Sequence, residues 1–122
     1  TSFNETETLW TAFMNFTTEL HNKGVDHLDY TRRNVLITKQ GSKYSFSLVD
    51  LNRIEFKSMS LRDRMKSLSR ITSDSDLMKM IAKYYSASSD YDYDKCLHLL
   101  QYFVRENQKY WDTKKQLKRM FK

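Results

Sequence analysis

Between Asn4 and Asn22, apolar side chains recur at Leu9, Phe13, Phe16 and Leu20. Those intervals of four, three and four place them on one stripe of an α-helix. Trp10 and Met14 widen that stripe, Asn4 with Glu7 or Thr6 alone supplies a capping signal, and Gly24 marks the end. The period then changes. Val35 to Thr38 and Tyr44 to Val49 are short apolar or alternating runs flanking Lys39-Gln40-Gly41-Ser42-Lys43, which predicts a β-hairpin with Phe46, Leu48 and Val49 facing inward. Arg53 to Ser58 has no period and is expected to be loop. Ser60 with Asp63 caps a second helix carried by Leu61, Met65, Leu68 and Ile71. Leu77, Met80, Ile81 and Tyr84 carry a third, beginning between Ser73 and Asp76. After an expected loop at Ser86 to Asp90, a long last helix has Leu97, Leu100, Phe103, Val104, Trp111, Leu117 and Phe121 on its apolar side. The pattern predicts one mainly α domain with a small β-hairpin (α+β): a supporting helix over 4–22, a loop over 26–34, a hairpin over 35–50 and a helical remainder over 60–121.

The loop between first helix and hairpin concentrates the chemistry. It reads His27-Leu28-Asp29-Tyr30-Thr31-Arg32-Arg33-Asn34, then Val35-Leu36-Ile37, a turn, and Ser47-Leu48-Val49-Asp50. His-x-Asp, an Asn five residues after the Asp, and a second Asp at the end of the next strand is the spacing of a phosphotransferase catalytic loop and its metal-binding aspartate. Phosphoryl transfer needs the acceptor hydroxyl, the nucleotide phosphates and Mg2+ held in line. In that arrangement Asp29 orients the hydroxyl and takes its proton, while Asn34 and Asp50 offer hard oxygen ligands to Mg2+ beside ATP. His27 fits a structural post bonding to backbone near Asp50 better than a proton shuttle. Arg53, three residues past Asp50, is placed either for a phosphate or substrate contact or for a salt bridge.

Length and composition narrow this further. At 122 residues the chain holds one hydrophobic core and is too short for a two-lobed kinase. Its two glycines, Gly24 and Gly41, form no phosphate loop, and no strand bearing a Val-Ala-Ile-Lys lysine precedes His27. An N-terminal nucleotide-covering lobe is therefore absent from these residues, and the start at Thr1 rather than Met fits a proteolytic product or a trimmed domain of a longer protein. The single Cys96 reads as a packing thiol and fits a reducing compartment. No apolar run nears the roughly 18 residues that span a bilayer. A net charge of +6 favours an anionic surface. Arg62, Arg64, Lys66 and Arg70 are expected on the exposed side of the second helix, and Lys109, Lys114, Lys115, Lys118, Arg119 and Lys122 load the end of the last.

Leu20-His21-Asn22-Lys23-Gly24-Val25, His27-Leu28-Asp29 through Asn34-Val35-Leu36-Ile37, and Ser47-Leu48-Val49-Asp50-Leu51-Asn52-Arg53 together resemble the C-terminal lobe of the bacterial lipopolysaccharide core kinases, the Kdo and heptose kinase branch of the protein-kinase-like fold. The resemblance extends from about residue 9 to about residue 85. Leu28 and Asn52 depart from the residues common at those positions in kinases. It implies a parent enzyme that transfers the γ-phosphate of ATP to an inner-core sugar of a lipid A-core glycolipid. Such an enzyme would work in the cytoplasm, in peripheral contact with the anionic inner face of the inner membrane, and this chain alone would be inactive. Two other readings use the same residues: a pseudokinase or regulatory lobe, and a basic helical module binding nucleic acid or acidic partners. No stacking platform or groove-reading module is recognisable, so nucleic acid is the less favoured partner.

Overall fold

The computed structural model describes residues 3–121, with side chains from residue 5 onward. Helix α1 (Phe3–Asn22) leads into strand β1 (Val25–His27), followed by the hairpin β2 (Val35–Gln40) and β3 (Lys43–Leu48), then β4 (Ile54–Phe56). Three helices complete the chain: α2 (Leu61–Leu68), α3 (Ser75–Ser88) and α4 (Tyr93–Met120). The fold is mainly helical, with two small antiparallel sheets. Because α1 begins at Phe3, Asn4 and Thr6 lie inside its first turn instead of ahead of it, and its cap lies outside the described residues, as does Lys122.

Each junction has a local cause. Gly24 accepts the αL conformation (φ +75°) that closes α1, its amide donating to the His21 carbonyl. A Cβ at Gly24 would also lie 2.6 Å from the Lys57 carbonyl oxygen, since the Lys57 amide bonds back to the Gly24 carbonyl at 2.9 Å. The hairpin turns in two residues, Gly41 and Ser42, with Gln40 opposite Lys43, so β2 is longer and the turn tighter than the sequence pattern predicts, while β3 is shifted by one residue. Positive φ at Gly41 but not at Ser42 matches a type II′ turn. Ser60 and Asp63 form a reciprocal capping box on α2, while Asp74 and Asp92 cap α3 and α4.

Several expectations are overturned. The stretch expected to be loop after Arg53 contains β4, which pairs with β1 in the register Val25 with Phe56 and His27 with Ile54. α2 stops at Leu68, leaving Ile71 in the following turn, and α3 continues to Ser88 through part of the expected loop. In α1 the expected stripe is only half-buried, whereas Met14, Thr17, Thr18 and His21 form the deepest face, against α3. Arg64 is buried, not exposed. Trp111, Leu117 and Phe121 are exposed, because α4 runs past the elements that cover its first half.

The interior is therefore polar along one seam, where buried side chains bond to one another, while the Ser67 hydroxyl nearby has no partner among the described residues. Thr17 Oγ1 meets Tyr30 Oη at 2.7 Å, and Thr18 Oγ1 meets Ser88 Oγ at 2.6 Å. Arg64 donates to the Met59 carbonyl (3.0 Å), Asn22 Oδ1 (2.9 Å) and Tyr85 Oη (3.3 Å), with its guanidinium over the Tyr91 ring. Tyr85 Oη accepts from Arg64, so its own proton goes to His21 Nδ1, 2.8 Å away. The imidazole is held neutral: burial first, then the Arg64 charge, lower its pKa to about 3. Met65, Leu68, Met78, Ile81, Ala82, Cys96, Leu100 and Phe103 make up the apolar core alongside. Burial pushes the Cys96 thiol up to about 11, which suits an inert packing residue.

Two outcomes are expected. Gly24→Ala should cost about 2 kcal/mol or more, from the φ penalty and the backbone clash, read as a lower urea midpoint. Since the unfolded state binds the His21 proton from about pH 6.5 and the folded state only near 3, stability should fall as pH drops through that window. The slope should approach 1.4 kcal/mol per pH unit, roughly the value for one proton. Urea titrations of the protein and of His21→Gln at matched pH values test this, because the variant should lose that slope.

Candidate functional site

Asp29 lies in the turn after β1 and Asn34 ends a 3-10 turn over Arg32–Asn34 that leads into β2, and side chains bind the two together. The Asp29 amide donates to His27 Nδ1 at 3.1 Å, which makes Nδ1 the acceptor nitrogen. The ring proton is then on Nε2, which donates to the Val49 carbonyl at 2.9 Å. His27, itself buried, thus joins the start of the loop to the residue before Asp50. Asn34, also buried, donates through Nδ2 to the Asp29 carbonyl (2.8 Å) and to Asp29 Oδ2 (3.0 Å). The Val49 amide bonds to the Asn34 carbonyl at 3.0 Å, so both ends of the hairpin are tied at this point.

Asp50 is exposed, and its backbone is left-handed at φ 58°, ψ 57°. Among the described residues it is the one non-glycine residue with positive φ. Aspartate tolerates that region better than most residues, but the conformation still carries strain of the kind found where a side chain is aimed for function. A 3-10 turn over Leu51–Arg53 follows, and the Arg53 carbonyl accepts the Leu28 amide at 2.8 Å, continuing the β1–β4 ladder. β4 is what returns Arg53 to the loop.

A cleft of about 910 Å³ opens on the Asp29 side of this frame, with Arg33, Arg53, Arg70, Asn107 and Trp111 in its wall. Asn34 and Asp50 do not line it. Arg70, expected on an exposed helix face, instead sits partly buried in the turn after α2. Burial holds its pKa below the usual guanidinium value, with Asp26 and Asp29 acting the other way and Arg53 adding repulsion. Asn107 anchors α4 beside it, donating to Ser69 Oγ at 3.0 Å. Thr31 Oγ1, also at the cleft, is buried without a hydrogen-bond partner among the described residues. Below, buried Asp26 pairs with Lys57 at 3.6 Å, and Lys57 also reaches Asp63 at 3.6 Å. Burial raises the Asp26 pKa despite Lys57 and Arg70. Neither Arg70 nor Thr31 is marked by spacing. Arg70 is separated from Asp29 by four elements and falls in a basic run that resembles a solvated face.

The donor set suits a nucleotide-borne Mg2+ better than a resident metal centre. Among the described residues, no group of three or more His, Cys, Asp or Glu side chains is placed to hold an ion. Asn34 Oδ1 and the Asp50 carboxylate engage in no described hydrogen bond or ion pair, leaving one amide oxygen and one carboxylate at one end of the hairpin. Mg2+ commonly takes one or two carboxylates and completes its shell with phosphate oxygens and water.

The description of the lipopolysaccharide kinase (Kdo/WaaP) family matches residues 2–96. The chain belongs to that family. No curated protein and no solved structure matches it. The Kdo/WaaP assignment makes this a chain of a kinase family, and it covers α1, both sheets, α2, α3 and the first residues of α4. His27, Asp29, Asn34, Asp50 and Arg53 all fall inside the matched span. No helix among the described residues is long and apolar enough to cross a membrane.

If strain at Asp50 is kept for its carboxylate, Asp50→Gly should be more stable than the unaltered protein by about 0.5 to 1 kcal/mol, and Asp50→Ala less stable by a similar amount. Urea denaturation of the pair reads this, and equal stabilities would remove the strain argument.

Proposed function

We propose that this chain is the C-terminal lobe of a protein-kinase-like enzyme that transfers the γ-phosphate of ATP to a hydroxyl of a lipopolysaccharide inner-core sugar. The observation that carries the reading is Asn34, whose Nδ2 holds both the carbonyl and the carboxylate of Asp29 while Oδ1 stays uncommitted. One side chain thereby fixes a base and offers a metal ligand, as in-line phosphoryl transfer requires. Asp29 orients the acceptor hydroxyl and takes its proton as the new bond to phosphorus forms. Asn34 and Asp50 would hold Mg2+, which when bound neutralises charge on the phosphates. His27 positions Asp29 through its amide and Asp50 through Val49. Arg33, Arg53 and Arg70 give the Asp29 cleft a cationic wall, which suits an anionic sugar acceptor.

A nucleotide-covering lobe upstream would supply the phosphate loop and lysine that these residues lack. Ile37, more than half exposed on β2 beside Leu9, Trp10 and Phe13, supports that assignment as part of an apolar surface for such a lobe to cover. ATP and a lipid A-core glycolipid meet at the cytoplasmic face of the inner membrane, where the enzyme would work peripherally.

The test is transfer of labelled phosphate from ATP to a lipopolysaccharide-precursor extract by the protein together with its upstream lobe. Asp29→Asn and Asp50→Asn should each lower labelling of glycolipid by about 10² to 10⁴. Unlabelled glycolipid with no Mg-ATP binding would sink the reading and leave a regulatory lobe without catalysis. Residues 1–122 alone should turn over no ATP, and turnover by them would refute the two-lobe assignment.

A further inference from the structure

α4 continues past the family match, and the part that does so forms one wall of the Asp29 cleft. Val104, Asn107, Gln108 and Trp111 line it, spaced three, one and three along a single helix face. Partners outside the cleft fix both amides. Asn107 Nδ2 donates to the Ser69 hydroxyl at 3.0 Å and Gln108 Nε2 donates to the Asp112 carboxylate at 3.1 Å. A carboxylate only accepts, as does the Ser69 carbonyl 3.5 Å from Asn107 Nδ2, so the nitrogens are assigned and the two amide oxygens are left without a described partner. Trp111 is 55% exposed, and its ring is held by the Lys114 ammonium at 5.4 Å, from a residue that does not line the cleft.

The rest of the cleft carries charge. Arg33, Arg53 and Arg70 stand against a single lining carboxylate, Asp29, and none of the three forms an ion pair among the described residues. Arg53 and Arg70 lie near enough to repel each other. Unpaired guanidinium groups gathered in one cleft favour an anion, which they bind through charge-assisted hydrogen bonds.

We propose that the second half of α4 selects the acceptor: Trp111 stacks on the C–H face of a pyranose ring, the Asn107 and Gln108 amide oxygens accept from its hydroxyls, and the arginines pair with a carboxylate or phosphate group on it. This rests on the phosphotransfer reading above and adds to it the residues that choose the sugar. Each surface answers one part of such a ligand. The C–H bonds on one face of a pyranose make an apolar patch with slight positive charge, which meets the negative face of an indole. Sugar hydroxyls both donate and accept, and uncommitted amide oxygens beside guanidinium donors serve both needs. A bare phosphate would use the arginines and leave the indole and the amides idle. A nucleobase would stack on Trp111 but has few donors for two acceptor oxygens. The volume of about 910 Å³ is that of a small-molecule site.

The experiment is NMR titration of the full chain without ATP. Its two tryptophans, Trp10 and Trp111, give two indole N–H signals, which Trp111→Phe assigns. Glucuronate and glucose 6-phosphate carry the two kinds of acidic group, and glucose carries none. Either anionic sugar should shift the Trp111 signal and spare that of Trp10, the tighter one naming the acidic group. Glucose should bind at least about tenfold more weakly, and Arg70→Gln should weaken the anionic sugars by about tenfold, since each lacks a charge-assisted hydrogen bond. Saturation transfer to the sugar follows Trp111→Ala, an exposed change that leaves the core intact; it should weaken binding about three- to tenfold, with Trp111→Phe keeping most of the affinity. No shift with either anionic sugar, glucose binding as tightly, or affinity unchanged by Trp111→Ala would overturn the proposal. So would tighter binding of uridine monophosphate. Phosphotransfer assayed with the upstream lobe separates the two readings: Trp111→Ala should raise the KM for the glycolipid and leave that for ATP unchanged. Transfer indifferent to Trp111→Ala would overturn this proposal alone, whereas sugar binding without any transfer would remove the kinase reading and leave the sugar site standing.

Discussion

The His27 imidazole couples the loop that carries Asp29 to the strand that ends before Asp50. One nitrogen accepts the Asp29 amide and the other donates to the Val49 carbonyl, so a single planar ring sets the loop's start against the strand that ends at Asp50. A loop of this length has few backbone bonds of its own, and each amide it buries needs a partner. Asn34 closes the far end onto Asp29, while its backbone carbonyl takes the Val49 amide. Asn34 is therefore bound to Asp29 and Asp50 follows the doubly bonded Val49, and the strain at Asp50 is tolerated because its neighbours on both sides are fixed.

That frame stands on a polar seam instead of an oily one. His21, Tyr85 and Arg64 form a directional chain from cation to hydroxyl to neutral imidazole, ending on α1 just before the turn at Gly24. Burial of an arginine without a carboxylate partner is costly unless its donors are met, and here a carbonyl, an amide oxygen, a hydroxyl and an aromatic face meet them. Such bonds are geometrically selective where apolar contact is not. They fix the rotation of α1 against α3 and the approach of α2, and so the height at which β1 delivers His27.

The electrostatics divide in the same way. Arg64 is spent on structure inside, Arg33, Arg53 and Arg70 line the Asp29 cleft, and the lysines at the end of α4 lie outside. One net charge of +6 thus contains three populations, and only their surroundings separate them.

Sequence by itself determined the order of the four helices and the hairpin, the capping of α2, and the candidates His27, Asp29, Asn34, Asp50 and Arg53, because periodicity and motif spacing are local properties carried by neighbouring residues. Tertiary structure alone decided the rest. β1 and β4 are three residues each, too short to show a period, and they exist because each supplies the other's hydrogen bonds across the intervening hairpin. Thr17, Thr18, His21 and Arg64 resemble surface residues until partners from distant elements satisfy them, whereas Trp111, Leu117 and Phe121 resemble core until nothing covers them. Burial depends on what lies opposite a side chain, and a residue's own chemistry reports only what burial would cost.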